Sequence, residues 1–319
     1  MTRKITKDRP LVTFALFAYN QEQYIVDAVN SALAQNYERL EIILSDDCSN
    51  DETYSKMLST VSHYNGRHSV RLRQNTANLG LSSHVNAVFE EANGEIIVIA
   101  AGDDISDPKR CEISVALLEK FPLAAEVLVS AQVIDEKGNV VRSRYNANGQ
   151  NRIQNFKDLL MWRHKTFGAG RALRRRVHDD FGPLNKNCPT EDTPFLLRSM
   201  ISGGSVLSDA IGVKYRVHDK NLSGRRSMVR MNIEQIYSQY HSDLETAKEL
   251  ELITDQEKVS LNEWMKLDYR ARIMRNKMNS NEHLDFSEFL EAWAIPSFSV
   301  KDRLKALALI ILGKRNENL

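Results

Sequence analysis

Apolar positions in the first hundred residues fall into short unbroken runs that alternate with stretches at helical spacing. Leu11-Val-Thr-Phe-Ala-Leu-Phe17 is a β-rich run stopping at Asn20, and Asn20 with Gln23 three residues on makes an N-cap and N3 pair. Tyr24, Ile25, Ala28, Val29, Ala32 and Leu33 then share one helical face. A second unit opens with Leu40-Glu-Ile-Ile-Leu-Ser45 and runs into Asp46-Asp-Cys-Ser-Asn-Asp51, a polar loop of cap-forming residues. Val70-Arg-Leu-Arg73 predicts a short third strand, Asn75 to Gly80 a loop, and Ser82 to Ala92 a helix. Glu95-Ile-Ile-Val-Ile-Ala100, bounded by Gly94 and Gly102, is almost wholly apolar and predicts a central parallel strand. Repeated βα units predict an α/β fold with a mostly parallel central sheet flanked by helices.

Beyond that strand the alternation breaks. Pro108 suits a helix start ahead of the Ile113, Leu117 and Leu118 stripe. Val127-Leu-Val-Ser-Ala-Gln-Val-Ile134, the turn from Asp135 to Asn139, and Val140-Val141 predict a hairpin. Residues 145–225 are irregular and rich in Arg, Asn and Gly, with a helix after Thr190 and a strand near Val213-Lys-Tyr-Arg-Val217. From Met228 to Arg275 the chain is polar and helical without Gly or Pro, and a further helix spans Asp285 to Trp293. This layout predicts one domain over 1–225, in halves 10–107 and 108–225, and a helical C-terminal extension over 226–319.

Charge adds an exclusion. With 43 Lys and Arg against 42 Asp and Glu, bulk attraction to nucleic acid is absent, so partners must be sought in local sites. The three cysteines, Cys48, Cys111 and Cys188, form no CxxC pair, which fits structural thiols in a reducing compartment. Leu11 to Ala18 reads as a first strand rather than the apolar core of a signal peptide. No stretch approaches the roughly 20 apolar residues of a membrane span, so a cytoplasmic location is expected.

Open α/β sheets take ligands beyond the carboxyl ends of their strands. Here those ends carry Asn20, Asp46 with Asp47, and the adjacent pair Asp103-Asp104, which suits a cation better than a core. No GxGxxG follows the first strand and no GxxxxGK[ST] appears, which counts against a dinucleotide dehydrogenase and a P-loop enzyme. A divalent metal on carboxylates is then the expected means of meeting phosphate.

Phe17-Ala-Tyr-Asn-Gln-Glu-Gln-Tyr-Ile25, Ile43-Leu-Ser-Asp-Asp-Cys-Ser-Asn-Asp-Glu-Thr53, Asn78-Leu-Gly80, Ala101-Gly-Asp-Asp104 and Thr190-Glu-Asp192 resemble, in order and spacing, the family 2 glycosyltransferases. The resemblance covers residues 10–225 and implies a Rossmann-like GT-A domain whose halves bind a nucleotide-diphosphate sugar and an acceptor. It further implies inverting transfer with Mn²⁺ or Mg²⁺ as cofactor. By the same resemblance Asp103 ligates the metal, joined by His218 of the Tyr215-Arg-Val-His218 segment, and Asn20, Asp46, Asp47, Asn78, Asp103 and Asp104 meet the nucleotide sugar. The family's metal motif is commonly Asp-x-Asp, and Ala101 stands here in place of its first Asp.

The chemistry agrees. A single displacement needs a carboxylate to take the acceptor hydroxyl's proton, and Asp192 is the expected base, with Glu191 orienting it or binding the acceptor. An ionised carboxylate only accepts hydrogen bonds, so Asp46 suits the imide N–H of uracil or thymine and favours a UDP- or dTDP-sugar. Each residue also has a structural use: Asp103 and Asp104 as a turn, Asp47 and Asp51 as caps, Asn20 and Asn78 as cap and turn, Glu191 and Asp192 as an acidic first helical turn. Arg171-Ala-Leu-Arg-Arg-Arg176 reads either as a contact to diphosphate or anionic acceptor or as a solvated face. Gly168-Ala-Gly170 permits close backbone approach to a bound sugar, or a plain turn.

A last helix is predicted from Ser299 to Gly313, with Ser299 and Asp302 as cap pair. Its apolar Leu304, Leu307, Ile310, Ile311 and Leu312 lie among Lys301, Arg303, Lys305, Lys314 and Arg315, which suits docking on protein or peripheral contact of 299–315 with the inner face of the cell membrane. Expected partners are a nucleotide-diphosphate sugar donor and a saccharide or lipid-linked saccharide acceptor; the resemblance implies bacterial surface-polysaccharide or O-antigen assembly. Two other readings stand beside this one. A sugar-phosphate nucleotidyltransferase would need a glycine-rich basic loop where Ala18-Tyr-Asn-Gln-Glu22 stands, and a sugar-nucleotide-binding protein without catalysis is suggested by Ala101 but countered by Asp103, Asp192 and His218.

Overall fold

A computed structural model describes residues 9–144, 150–219, 221 and 224–316. The chain divides into two compact units, Met1–Lys157 with His164–His218, and Asp158–Arg163 with Asp219–Leu319.

The first unit begins β1 (Val12–Ala18), α1 (Ile25–Leu33), β2 (Leu40–Asp46), α2 (Thr53–Ser62), β3 (Ser69–Gln74), α3 (Leu81–Glu91), β4 (Ile96–Ala101) and β5 (Ile105–Ser106). It continues with α4 (Arg110–Lys120), β6 (Glu126–Ile134), β7 (Val140–Arg144) and β8 (Arg152–Gln154). A short α5 (Phe156–Leu160), whose residues from Asp158 on belong to the second unit, precedes β9 (Arg171–Arg174), α6 (Arg176–Asp179), α7 (Asp192–Ile201) and β10 (Ser205–Arg216). The sheet runs β3-β2-β1-β4-β9-β6-β10-β5, with β7 beside β6 and β8 beside β10. β1 to β4 pair in parallel, as do β6 and β10, whereas β9 is antiparallel to both β4 and β6. The mostly parallel α/β sheet expected from the sequence is therefore present.

The apolar runs become central strands because both their faces are covered. Val12, Phe14, Leu16, Ile96, Val98 and Ala100 enter one core layer, while Ala15, Phe17, Ile97 and Ile99 enter the other. Cys111 and Cys188 are buried free thiols, Cys111 pushed up to about 12 by burial, which fits a packing role.

Several expectations are corrected. Asn20 does not cap α1, which begins at Ile25 with Tyr24 before it; Asn20 adopts a left-handed φ of 52°. β4 is parallel to β1 but antiparallel to β9 on its other side. Within the irregular stretch lie β8 and β9, and the Arg171–Arg176 run is not a solvated face at its start: Arg171 is fully buried.

The second unit carries α8 (Arg225–Arg230), α9 (Ile233–Glu249), α10 (Asp255–Ser280), α11 (Phe286–Ala294) and α12 (Val300–Asn316). Local chemistry sets these boundaries: Asn232 caps α9, Thr254 with Glu257 and Asp285 with Glu288 form capping boxes, and Asn281 ends α10 in the left-handed region. Ser299 Oγ accepts from the Asp302 N–H at 3.2 Å and Asp302 accepts from the Ser299 N–H at 2.9 Å, the cap pair expected for α12. The side chains of Ile311, Leu312, Lys314 and Arg315, like Lys220 and Ser223, lie outside the described residues. Among those described, no helix is long and apolar enough to cross a membrane.

Candidate active site

Strand register brings the predicted polar ends to one edge. Ala18 pairs with Asp46, Asp46 with Gln74 and Phe17 with Ala101. Backbone bonds continue past the strands: Ala18 O accepts from the Asp47 N–H, Phe17 O from the Gly102 N–H and Asp46 O from the Asn75 N–H, each at 2.9 Å.

Asp46 is fully buried and both its oxygens are engaged, by the Ser49 hydroxyl, by the Ser49 N–H at 2.9 Å and by Gln74 Nε2 at 2.9 Å. Asp47 accepts from Asn75 Nδ2 at 2.7 Å and from the Leu79 and Gly80 N–H groups at 2.9 and 3.0 Å. It thus holds the 78–80 loop rather than capping a helix, and Asn78 adds a turn bond to the Gly80 N–H at 3.0 Å. Gly80 sits at φ 78°, a conformation costly for a residue with a Cβ. Asn20 bridges two loops, its N–H donating to Ser49 Oγ at 2.8 Å and its Oδ1 accepting from the Asn50 N–H at 2.9 Å. Asp51 accepts from the Thr53 N–H at 2.9 Å at the start of α2. Beneath them Arg73 donates to Ser45 Oγ at 2.6 Å and Asn75 Oδ1 at 2.7 Å, and Ser45 meets His84 Nε2 at 2.6 Å. Burial pulls His84 down to about 4, so this ring is neutral at physiological pH.

Past β4, Asp103 and Asp104 occupy the turn into β5, both buried. Asp103 Oδ2 lies 3.0 Å from His218 Nε2. Asp104 Oδ1 accepts from the Arg216 N–H at 2.8 Å, whereas Oδ2 is buried without a hydrogen-bond partner among the described residues. Burial raises the Asp104 carboxyl well above the ordinary range, and the charge of Asp103 adds to the rise. Arg216 fixes this turn: Nε donates to Asp103 O at 2.9 Å, and the guanidinium lies 4.7 Å from the Tyr24 ring centre. Tyr24 also packs against His218, with ring centres 5.0 Å apart.

The acceptor-side carboxylate is built differently. Asp192 opens α7, and Asp192 Oδ1 accepts from Arg171 Nη1 at 2.8 Å. Arg171 Nη2 donates to Thr166 Oγ1 at 2.8 Å and Asp192 O at 3.2 Å, while Nε pairs with the buried Glu126, which also takes the Ser205 hydroxyl. A Cβ on Gly168 would collide with Asp192 Oδ1, so Gly168 serves the carboxylate itself rather than a turn alone. Arg171 begins β9 beside β4, and Arg110 Nη2 donates to Ile99 O at 2.6 Å and Arg171 O at 3.3 Å. That link places Arg171, and with it Asp192, beside the carboxyl end of the strand that leads to Asp103. Glu191, partly buried at the helix entry, is pushed up to about 8 by burial and by the charge of Asp192.

The edge therefore gathers Asn20, Asp46, Asp47 and Asn78 in one cluster, Asp103 with Asp104 and His218 in a second, and Glu191 with Asp192 at β9. Sequence reasoning missed Glu126, Arg171, Arg216 and Tyr24 as organising residues. Only Arg216 had a local signal, an arginine two positions before His218 at the end of a strand.

A family model described as Glycosyl transferase family 2 matches residues 13–182. EpsE of Bacillus subtilis, named as a glycosyltransferase, is 36% identical over 129 residues, which cover 40% of this chain and 46% of that protein. The chain thus spans less than half the length of that curated relative. The structure of S. aureus TarS 1–349 in complex with UDP-GlcNAc aligns with a TM-score of 0.59 at 16% identity, covering 96% of this chain and 92% of that one. PcManGT, the Pyrobaculum calidifontis mannosyltransferase in complex with GDP-Man and Mn²⁺, aligns with a TM-score of 0.55 at 15% identity, covering 98% and 82%. At these identities the likeness is one of fold, and it is the GT-A fold.

Proposed function

The chain belongs to glycosyl transferase family 2, and from that premise we propose that it is an inverting glycosyltransferase moving a sugar from a nucleotide-diphosphate sugar to a hydroxyl acceptor. The observation that carries this reading is the Asp192 carboxylate, seated on Gly168 and held by Arg171 beside the strand that ends at Asp103. As the acceptor oxygen attacks the anomeric carbon from the face opposite the diphosphate, its proton passes to Asp192. Arg171 fixes one carboxylate oxygen, so proton acceptance falls to the other. Glu191, whose carboxyl is pushed up to about 8, holds a proton toward Asp192 and so orients that carboxylate rather than acting as a second base.

Asp103 and His218 fit a divalent cation. A carboxylate oxygen and an imidazole nitrogen converge at 3.0 Å, and the adjacent buried Asp104 Oδ2 has no hydrogen-bond partner among the described residues. Asp103 and His218 are the residues that would hold such a cation, which when bound would supply positive charge against the departing diphosphate. The Mn²⁺ bound with GDP-Man in PcManGT supports this assignment, as the UDP-GlcNAc in TarS supports a nucleotide sugar as donor.

Asn20, Asp47 and Asn78 shape the nucleotide loop. For Asp46 to accept from the imide N–H of a uracil or thymine, the Ser49 hydroxyl bound to it must yield. By family resemblance the acceptor is a saccharide or lipid-linked saccharide of bacterial surface-polysaccharide assembly.

The test is a thermal-shift panel of nucleoside diphosphates and their sugars, with and without Mn²⁺ or Mg²⁺, followed by transfer assays. A donor that binds the folded chain raises its melting temperature in a metal-dependent way. Asp192→Asn retains that rise and loses transfer by about 10²–10⁴-fold. If no nucleoside diphosphate raises the melting temperature, the reading fails.

A further inference from the structure

The second unit leaves apolar side chains in solvent where its packing needs none. On α11, Phe286, Leu290 and Trp293 are 66%, 52% and 53% exposed, and on α12, Val300, Leu304 and Leu307 are 70%, 58% and 38% exposed. Each set follows i, i+4, i+7 spacing, so each is one stripe along its helix. The other faces of these helices are filled already: Ala292, Ile295, Ala306, Leu309 and Ile310 are buried with Met274 and Met278 of α10. Trp293 and Arg303 join the two helices, the guanidinium standing 5.6 Å from the indole centre.

Charge selects the occupant. The carboxylates along these helices are turned to other tasks: Glu288 pairs with Lys277 and caps Asp285, Glu291 faces Arg270 at 3.5 Å, and Asp302 caps Ser299. Lys301 is exposed and, like Arg303, makes no ion pair among the described residues. The stripe on α12 is free of carboxylates and flanked by Lys301 and Arg303, and α11, which carries no Lys or Arg, adds its apolar stripe with Trp293 beside Arg303. That is the chemistry of a helix pair lying at a lipid–water boundary with its cations on α12.

We propose that α11 and α12 form a docking face for an anionic lipid surface, with Trp293 and Leu304 entering the acyl boundary and Lys301 and Arg303 meeting headgroups. This goes beyond the glycosyl-transfer reading and stands without it.

The full chain is sedimented with vesicles of phosphatidylcholine alone and of phosphatidylcholine with about 30% phosphatidylglycerol, with no donor present. Binding is expected to the anionic vesicles and to weaken at least tenfold between low salt and 0.5 M salt, where surface charges are screened. Trp293→Glu and Leu304→Gln each lower it at least tenfold, with helix content followed by circular dichroism. Lys301→Glu lowers it on anionic vesicles at low salt. The wild-type salt dependence needs no variant, so a misfolded substitution leaves the test intact. Equal binding to neutral vesicles, or none to either, overturns the proposal. So does a dimer by light scattering that Trp293→Glu dissolves in a chain that ignores vesicles, because the face then belongs to a second copy. Neither result bears on donor stabilisation, which is measured separately.

Discussion

The Asp192 carboxylate fills the space that a side chain on Gly168 would occupy. The two residues are twenty-four positions apart, yet the absence of one side chain leaves the room in which Arg171 holds the other. Gly168→Ala forces the carboxylate away from Arg171 or the helix entry outward. Because the displaced atoms are the end of a partly exposed side chain and not backbone, the move costs little stability. A misplacement of roughly 1 Å at a reacting group costs about 10²-fold in rate. The expected outcome is a large fall in kcat with metal-dependent donor stabilisation kept, read from steady-state kinetics beside thermal shift.

Arg171 and Glu126 form an ion pair without solvent contact at the base of this arrangement. Arg171→Met strands the Glu126 carboxylate, and breaking a buried pair by removing one partner costs about 3–5 kcal/mol. Replacing both, as Arg171→Met with Glu126→Leu, restores much of that stability because no uncompensated charge remains. Transfer does not recover with it, since Asp192 has lost its Nη1 donor. Urea unfolding and turnover measured on the same variants separate the two effects.

How far the site could be read from the chain depends on the range of the interactions involved. β1 and β4 were legible because burial on both faces makes them unbroken apolar runs, and Asn20 after the first and the Asp103-Asp104 pair after the second follow directly. Asn20 shows where local pattern fails: the Asn20 and Gln23 spacing matches a cap, but bonds to Ser49 and Asn50 some thirty residues on hold Asn20 in the left-handed region instead. Arginine is a surface residue by habit, so a buried Arg171 on a four-residue strand carries no local signal. Its partners Glu126 and Asp192 come from distant segments, and only the antiparallel placement of β9 between β4 and β6 brings them together. The residue types of Asp46 and Asp47 were legible; that both are engaged by their own loops was not.

Glu191 gives a pH prediction. Its carboxyl is raised to about 8 in the folded chain against an ordinary value of 4.5, so the folded state holds the proton more tightly than the unfolded one. The resulting stabilisation is complete below about 4.5 and is lost as pH rises through about 8. Glu191→Gln mimics the neutral form and removes this dependence, so its melting temperature falls less between pH 6 and 9 than that of the wild type. Transfer at pH 7 is retained within about tenfold if Glu191 acts as a donor. A wild type and variant with the same slope of melting temperature against pH would show that Glu191 is already ionised at neutral pH.

His218 touches Asp103 through Nε2 and Tyr24 through its ring, so ligand and packing roles can be separated by substitution. His218→Phe keeps a ring against Tyr24 and removes the nitrogen. Even partners one shell removed from a metal are worth about 10–100-fold in affinity, and a direct ligand is worth no less. The Mn²⁺ concentration at which donor raises the melting temperature by half its full amount is therefore expected to climb at least about tenfold in His218→Phe. Asp103→Asn behaves likewise, because an amide oxygen is a weaker ligand for a hard cation than a carboxylate. The melting temperature of the donor-free chain changes little in His218→Phe if packing is preserved. An unchanged Mn²⁺ requirement in both variants would move the metal away from this pair and leave their hydrogen bond as a device for fixing the turn after β4.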